Sequence, residues 1–205
     1  MAPLGGAVRC PFDITPAYSP WPVAALWGSL PWRGQPRFGL GAACRERWDD
    51  AVDKAFLEWA QATVFASTVA GVAVAERATA RSLTPPLRSF EDHARYYTRH
   101  PDRAAAVHLG TGDVGAPPPD GPGELDRAVA MLHDIGVRLY ERNLTTVDLA
   151  DVSLHAVRVL SPDLTGIHVN DDWPYLGART ADRVWRYPDL EPNGPYPNPL
   201  PHPLG

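Results

Sequence analysis

Residues 45–63 read RERWDDAVDKAFLEWAQAT and sort into an apolar and a polar face at helical spacing. At about 100° per residue, an arc of about 100° holds the apolar side chains, those of Val52, Ala55, Phe56 and Trp59. An opposite arc of about 80° holds polar side chains, those of Asp50, Lys54, Glu58 and Gln61. The spacing therefore predicts an amphipathic helix that packs on one side and presents carboxylates and an amide on the other.

Two interpretations of the polar face are open from the spacing alone. Oppositely charged neighbours at i,i+4, Asp50 with Lys54 and Lys54 with Glu58, are typical of a solvated helix surface. Alternatively, the carboxylate and amide oxygens belong to a binding site. This second interpretation needs support from outside the helix.

Support comes from a resemblance to YcaO-domain proteins. The helix follows the turn FGLGAA, residues 38–43, and carries Glu58-x-x-Gln61, as the second nucleotide-binding helix of that family does. Thr63 stands where the family usually has Arg. Further stretches occur in the family's order, namely residues 88–97, residues 140–148 with 155–159, and the proline-rich residues 199–203. The resemblance covers the sequence from roughly residue 20 to its end.

The resemblance implies ATP-dependent chemistry with Mg²⁺. YcaO enzymes phosphorylate a backbone amide oxygen, so that a Cys, Ser or Thr side chain, a sulfide source or an amine can displace it. Glu58 and Gln61 are then expected to bind Mg²⁺ and ATP, since hard oxygen ligands suit that ion. Asp50, two turns earlier, is a third candidate ligand for the metal, and Arg179 and Arg183 are candidates for binding the nucleotide.

The tail, residues 188–205, contains seven prolines and ends in NPLPHPLG. Because proline fixes φ, the tail is expected to run as a stiff polyproline II segment. Azoline-forming YcaO proteins often end in similar sequences whose terminus reaches toward the active site. By this resemblance the α-carboxylate of Gly205 and the ring of His202 are expected to act in catalysis. Composition alone instead predicts a disordered end.

One motif of the family is missing. An earlier ATP-binding helix of the pattern Ser-x-x-Glu-x-x-Glu-Arg has no counterpart in these residues. We therefore expect the C-terminal half of a YcaO domain, as a naturally split or truncated subunit, with an expression fragment as the alternative. The expected partners are a protein with the complementary N-terminal half and a precursor peptide, which a leader-binding protein could deliver. Without its complementing half the chain is expected to be inactive.

Three functions are compatible with the resemblance. The first is a subunit of an ATP-dependent cyclodehydratase that forms azolines on a ribosomal precursor peptide in natural product biosynthesis. The second is a subunit of the same kind that forms thioamides or amidines. The third is a degenerate half that serves as a scaffold or substrate-binding partner. Thr63 and the missing helix favour this third function, because Thr63 removes a cation from the expected phosphate environment.

Composition narrows the classes of partner. A net charge of −5 gives no general attraction to nucleic acid or anionic lipid. Cys10 and Cys44 lie in no CxxC motif and near no clustered histidines, so reduced thiols are expected. No stretch has the pattern of a signal peptide or the length of a membrane span. The sequence predicts a soluble, cytoplasmic protein that binds neither nucleic acid nor a membrane.

The sequence as a whole predicts an α+β fold with helices packed on a mixed sheet. Strands are expected at residues 22–28, 37–40, 137–144 and 153–160, and helices at residues 45–63, 90–99 and 125–135, the last ended by Gly136. Residues 64–79 are expected to extend the first helix or form a second one, broken near Gly71. The expected divisions are an irregular arm (1–20), the half-domain (21–187, with a flexible loop at 110–123) and the tail (188–205).

Smaller features complete the prediction. Gly39 and Gly41 would allow close backbone approach at the turn into the main helix. Ser89 is expected to cap the helix that follows it. His93 and His100 are expected to be surface or capping residues, because a third metal ligand is missing beside them.

Overall fold

The computed structural model describes residues 11–32, 35–75, 85–100, 102–103, 116–175, 177–189 and 200–202. Its elements in chain order are β1 (Phe12–Asp13), β2 (Val23–Trp32), β3 (Gln35–Cys44), α1 (Trp48–Ala75), α2 (Phe90–Arg99), α3 (Leu125–Asp134), β4 (Tyr140–Asn143), α4 (Val147–Asp151), β5 (Val157–Leu160), a 3₁₀ helix (Arg179–Ala181) and α5 (Arg183–Arg186). The predicted α+β class is confirmed.

Strand pairing is antiparallel throughout the described residues, where a mixed sheet was expected. β1, β2 and β3 form one sheet in that order, and β4 with β5 forms a separate two-stranded ribbon. β2 pairs with β3 from Val23↔Cys44 to Trp32↔Gln35, so both strands are longer than predicted. The strand order leaves the outer edge of β3 without a strand partner among the described residues.

Helix α1 packs directly on the backbone of β3. The buried residues between α1 and the sheet are mostly small, namely Ala24, Leu26, Ala43, Ala51, Ala55 and Trp59. A Cβ atom at Gly41 would lie 1.9 Å from the carbonyl oxygen of Ala55 and 2.3 Å from the backbone nitrogen of Trp59. Gly39 and Gly41 thus lie inside β3 and not at a turn, and the backbone that approaches them is that of α1.

Helix α1 runs unbroken over Trp48–Ala75, so the predicted break near Gly71 does not occur. Ala55 and Trp59 are buried as predicted, but Phe56, which the spacing placed on the packed face, is nearly half exposed. Phe56 instead packs along the helix surface against Trp59, with the two ring centroids 5.6 Å apart.

The start of α1 is held by residues 116–123. The carboxylate of Asp120 accepts a hydrogen bond from the backbone N–H of Trp48 at 2.9 Å, as capping groups do at helix N-termini. Gly121 N–H donates to the carbonyl of Glu46 at 2.8 Å. This part of the expected flexible loop therefore makes defined contacts, while residues 110–115 lie outside the described residues.

Helix α2 packs against both β3 and α1. Ser89 caps it as predicted, because its side chain accepts a hydrogen bond from Asp92 N–H at 3.2 Å. His100 is the C-cap residue, which agrees with its predicted capping role. His93 is completely buried, so its prediction as a surface or capping residue was wrong. The packing that buries α2 comes from a hydrophobic cluster of three aromatic residues and one leucine, namely Trp27, Tyr96, Tyr97 and Leu87.

Helix α3 ends at Asp134, and Gly136 follows the C-cap Ile135 with a φ of +78°, as a C′ glycine requires. The ribbon that follows is shorter than predicted, because its strands are Tyr140–Asn143 and Val157–Leu160 and α4 lies in the connection. Arg138 anchors the base of the ribbon, since its guanidinium donates to both carboxylate oxygens of Asp163 at 3.0 Å.

The N-terminal segment and α5 are joined by hydrogen bonds. Ala17 N–H donates to the carbonyl of Arg186 at 2.7 Å, and the Tyr187 hydroxyl donates to the carbonyl of Ile14 at 3.0 Å. The expected irregular arm includes β1, and residues 1–10 lie outside the described residues. Among the helices that the structure describes, none has the length and apolar character needed to cross a bilayer.

Candidate functional site

A cavity of about 480 Å³ lies beside the free edge of β3. Its lining comes from β3 (Leu40, Ala42), α1 (Glu58, Gln61, Ala62, Phe65), α2 (Phe90) and the segment after β5 (Ile167). The lining is therefore mostly apolar, and Glu58 and Gln61 are its polar members. A cavity of this size suits a small-molecule ligand. The structure thus brings the two predicted metal and nucleotide ligands into one wall.

Glu58 also forms an ion pair on the helix surface. Its Oε1 lies 2.5 Å from Nζ of Lys54, and both side chains remain more than one third exposed, at 39% and 38%. Solvent screens such a pair, so its contribution to stability is small. The same carboxylate therefore both pairs with Lys54 and lines the cavity.

Asp50 is not part of the cavity lining. It lies eight residues before Glu58, about 12 Å along the helix axis. Its nearest ionic neighbour is Arg47, with an Nε–Oδ2 distance of 3.9 Å. Because Mg²⁺ holds its oxygen ligands at about 2.1 Å, Asp50 and Glu58 cannot bind the same ion on a continuous helix.

Thr63 is buried between α1 and β3. Its hydroxyl donates to the carbonyl of Ala60 at 2.8 Å, and its Cγ2 would lie 3.0 Å from a Cβ atom at Gly39. An arginine at this position would have to displace the sheet that packs here. Position 63 therefore serves the helix–sheet contact and does not line the cavity.

Arg179 binds the end of α3. Its Nη2 donates to the carbonyl of Ile135 at 2.9 Å, and its guanidinium carbon lies 4.7 Å from the centroid of the Trp185 ring. A cation is favourable at this place because the helix dipole is negative at the C-terminus. The structure does not bring Arg179 to Glu58 and Gln61. Arg183 begins α5, but the position of its side chain lies outside what the structure describes, as does Gly205.

The last described residues, 200–202, are docked on α2. The hydroxyl of Tyr97 donates to the carbonyl of Pro201 at 2.5 Å. Nδ1 of His93 donates to the carbonyl of His202 at 3.3 Å. In return, Nε2 of His202 donates to the carbonyl of His168 at 2.6 Å. The tail is thus fixed at both its backbone and its imidazole ring.

Asp171 connects this docking cluster to the start of α2. Its carboxylate accepts hydrogen bonds from Nε2 of His168 at 3.1 Å and from the backbone N–H of Leu87 at 2.7 Å. Nε2 of His93 lies 3.6 Å from the same carboxylate, which is too far for a hydrogen bond. Asp171 therefore orients His168, whose carbonyl holds the tail.

The hydrogen bonds decide where His202 carries its proton. Because a carbonyl oxygen can only accept, Nε2 is protonated, and the buried Nδ1, which has no partner among the described residues, carries the lone pair. Burial, together with neighbouring His93, lowers the pKa of His202 to about 4. Burial also lowers the pKa of His93, although Asp171 opposes this effect. Both rings are neutral near pH 7, which suits docking better than proton transfer.

The docking cluster adjoins the cavity. Ile167 lines the cavity and precedes His168, while Phe90 lines the cavity one turn before His93. His202 is therefore held by His168, which follows a residue of the cavity lining.

Sequence reasoning missed the docking residues Tyr97, His168 and Asp171. The available signals were weak, namely His93 and Tyr97 at i,i+4 on one helix and His168 and Asp171 at i,i+3 in a polar segment. Such spacings are frequent, and only the tertiary fold brings the two pairs to the tail.

The donor set of the cavity fits part of a Mg²⁺ site. Glu58 offers a carboxylate and Gln61 an amide oxygen, and both are hard ligands. In the described part of the chain, no group of three or more His, Cys, Asp or Glu side chains is arranged to hold a metal ion. The remaining ligands would have to come from water, nucleotide phosphates or another polypeptide.

Comparison with known proteins places this cavity within a family. Residues 12–165 match the family model of the YcaO cyclodehydratases, described as ATP- and Mg²⁺-binding. The match includes β1 to β5 and every residue that lines the cavity except Ile167, whereas Ile167, Arg179, Arg183, His202 and Gly205 lie beyond it. No curated protein and no solved structure matches the chain. Since the family model matches well over half of the 205 residues, the chain belongs to the YcaO cyclodehydratase family.

Proposed function

We propose that this chain is one subunit of a split, ATP-dependent cyclodehydratase that forms azolines on a ribosomal precursor peptide in the cytoplasm. Family membership supports ATP-dependent amide activation with Mg²⁺ in general. The split arrangement, the peptide substrate and the azoline product are the finer parts of the proposal. Thioamide or amidine formation would use the same ATP site and is distinguished only by the product.

The position of Glu58 and Gln61 in one wall of the cavity is the observation on which the proposal rests. The apolar lining, which includes Leu40 and Phe65, suits a flat nucleobase. The two oxygen donors suit the end of the nucleotide that binds Mg²⁺. When bound, Mg²⁺ would neutralise the charge of the triphosphate.

The exposed surface around the cavity supports a partner. Leu57 and Val64 are exposed apolar residues seven positions apart on one side of the helix that carries Glu58, and the adjacent edge of β3 has no strand partner among the described residues. Exposed apolar groups that lie together mark interaction sites. We assign this surface to the protein that carries the Ser-x-x-Glu-x-x-Glu-Arg helix, whose carboxylates would complete the metal site.

The docked tail supports a catalytic position for the C-terminus. Pro201 and His202 are held by contacts with α2 and with His168, which adjoins the cavity lining. In the proposed reaction, the α-carboxylate of Gly205 accepts the proton of the attacking nucleophile. The neutral ring of His202 holds the tail in place.

A non-catalytic scaffold is the second candidate function. The buried position of Thr63 favours it, because no cation at this position reaches the cavity. In this case the chain would bind peptide or a complete YcaO protein and leave ATP turnover to its partner.

Co-purification with the products of neighbouring genes tests both candidates. ATP turnover is measured for the chain, for each partner and for their complex. The mass of the precursor peptide is determined by mass spectrometry after incubation with each. The split enzyme predicts turnover only in the complex and the loss of one water per modified residue. Turnover by the purified chain alone would contradict the split arrangement. A partner with full activity on its own would instead support the scaffold.

A further inference from the structure

The ribbon of β4 and β5 is exposed on both faces. All four residues of each strand are exposed, and neighbouring apolar side chains are exposed with them, namely Leu144, Val147, Val152 and Leu154. A two-stranded ribbon is marginally stable in water, and exposed apolar side chains that lie together mark binding surfaces. The ribbon therefore has the properties of a sheet that binds an additional strand from another polypeptide.

One face of the ribbon is cationic. Arg142 lies directly opposite Arg158, and Tyr140 lies opposite Leu160, so these four side chains share a face. Like charges that face each other across strands are unfavourable. Neither guanidinium has a carboxylate within ion-pair distance among the described residues. An anion placed between the two arginines would remove their repulsion.

The outer edge of β5 has no strand partner among the described residues. Leu144 N–H donates to the carbonyl of Ala156 at 2.8 Å, so these residues form a hydrogen-bonded pair. Because such pairs alternate along an antiparallel ladder, the N–H and C=O groups of Val157 and Val159 point away from β4. The edge spans about 13 Å, the length of four extended residues. It carries apolar and cationic side chains but no carboxylate, whereas the β4 edge carries Glu141.

We propose that the β5 edge binds an extended segment of the peptide substrate in which acidic and apolar residues alternate. In a strand added to this edge, alternate side chains point to opposite faces. Acidic residues would then lie beside Arg158, and apolar residues would lie beside Val157 and Val159. The inference rests on the proposed function, since it assumes that the enzyme acts on a peptide.

Charge disfavours a second copy of the chain at this edge. The outward-pointing groups of one β5 would pair with those of the other, and every such antiparallel register places both Arg158 side chains on the same face. Besides the repulsion between Arg142 and Arg158 within each copy, a dimer would thus add repulsion between the two Arg158 side chains. An acidic peptide avoids this repulsion.

Fluorescence anisotropy with the full chain, without ATP or a partner protein, tests the proposal. The probe is a labelled ten-residue peptide of alternating Glu and Val, and its comparison is the same peptide with Lys in place of Glu. The Glu peptide should bind, and its affinity should fall as the salt concentration is raised, because the attraction is partly electrostatic. The Lys peptide should not bind.

Three variants separate charge from backbone pairing. Arg158→Glu should weaken binding at least roughly tenfold. The ribbon should persist in this variant, because the new carboxylate faces Arg142. Val159→Pro removes an outward N–H from the β5 edge and should also weaken binding, while proline is tolerated at an edge. Glu141→Pro, directly opposite on the β4 edge, is the matched control and should bind like the unmodified chain.

Several outcomes would overturn the proposal. These are equal binding of the Glu and Lys peptides, equal losses in Glu141→Pro and Val159→Pro, displacement of the peptide by ATP, and a dimer in sedimentation that Val159→Pro dissociates. Failure of this proposal can be distinguished from failure of the proposed function. If the complex turns over ATP but the chain does not bind the peptide, only the proposal for the β5 edge is rejected. If the chain binds the peptide but the complex does not turn over ATP, only the proposed ATP site is rejected.

Discussion

The imidazole rings of His93 and His202 stack with their centroids 3.9 Å apart and their planes 7° apart. His93 belongs to α2, and His202 belongs to the tail, 109 residues later. Two neutral rings can stack in this way, whereas two imidazolium ions at the same distance would repel each other. The position of the tail is therefore linked to the protonation of both side chains.

Lowering the pH below neutrality should destabilise the chain. Burial lowers the pKa of both histidines in the folded state, that of His202 to about 4, whereas an unfolded histidine titrates near about 6.5. Between these two pH values the unfolded state binds more protons than the folded state, so the free energy of unfolding falls as the pH falls. Urea unfolding at a series of pH values measures this dependence.

A pair of alanine variants tests whether His202 causes the pH dependence of the free energy of unfolding. His202→Ala should flatten it, because this variant removes one of the two titrating groups. His155→Ala is the control, since His155 is exposed in the connection before β5, and should leave the slope unchanged. An unchanged slope in His202→Ala would assign the effect to other groups.

Gly41→Ala should destabilise the fold strongly. The added methyl group would overlap the carbonyl of Ala55, which belongs to the helix backbone and cannot rotate away. We expect a loss of about 3 kcal/mol or more, as for severe overpacking. Chemical denaturation measures the loss, and Gly166→Ala is the matched control because a Cβ there meets no atom within 4 Å. Similar losses in both variants would argue against close packing of α1 on β3.

Glu58→Gln should reduce ATP turnover by the proposed complex at least roughly tenfold, because it removes a charged ligand of the metal. Peptide binding should be nearly unchanged. Asp53→Asn removes another carboxylate from α1 that does not line the cavity, and should leave turnover intact. Turnover is measured over a range of Mg²⁺ concentrations, and Glu58→Gln should require more Mg²⁺. Equal loss of turnover and peptide binding would indicate a structural role for Glu58.

Two deletions separate docking of the tail from catalysis. Removing residues 201–205 should leave assembly and ATP binding nearly intact while lowering heterocycle formation at least tenfold, about 1.4 kcal/mol of barrier. Removing only residues 203–205 keeps the contacts of Pro201 and His202 and should lower product formation to a similar extent. Unchanged product after either deletion would end the proposed catalytic role of the terminus.

Local sequence signals predicted the elements that depend on short-range physics. The apolar arc with Ala55 and Trp59 identified α1, Ser89 identified the start of α2, and Gly136 identified the end of α3. The resemblance to the family placed Glu58 and Gln61 in a site, and the structure puts both in one cavity wall.

Features that depend on long-range contacts were not predictable in this way. His93 has the local sequence of a surface residue and is buried only because the tail and the segment of Asp171 pack on α2. Gly41 was assigned to a turn because strand length depends on pairing with β2. Arg179 was a candidate for the nucleotide, and only the fold shows that it binds the end of α3.

Because Gly41 has no side chain, main-chain atoms of α1 and β3 meet directly at this position. The backbone positions of Glu58 and Gln61 can therefore change their distance from β3 only if α1 itself moves. Residues such as Leu40 and Phe65 can be exchanged without altering that distance. Substitutions among the lining residues can thus alter which ligand the cavity prefers, while the backbone positions of Glu58 and Gln61 stay the same.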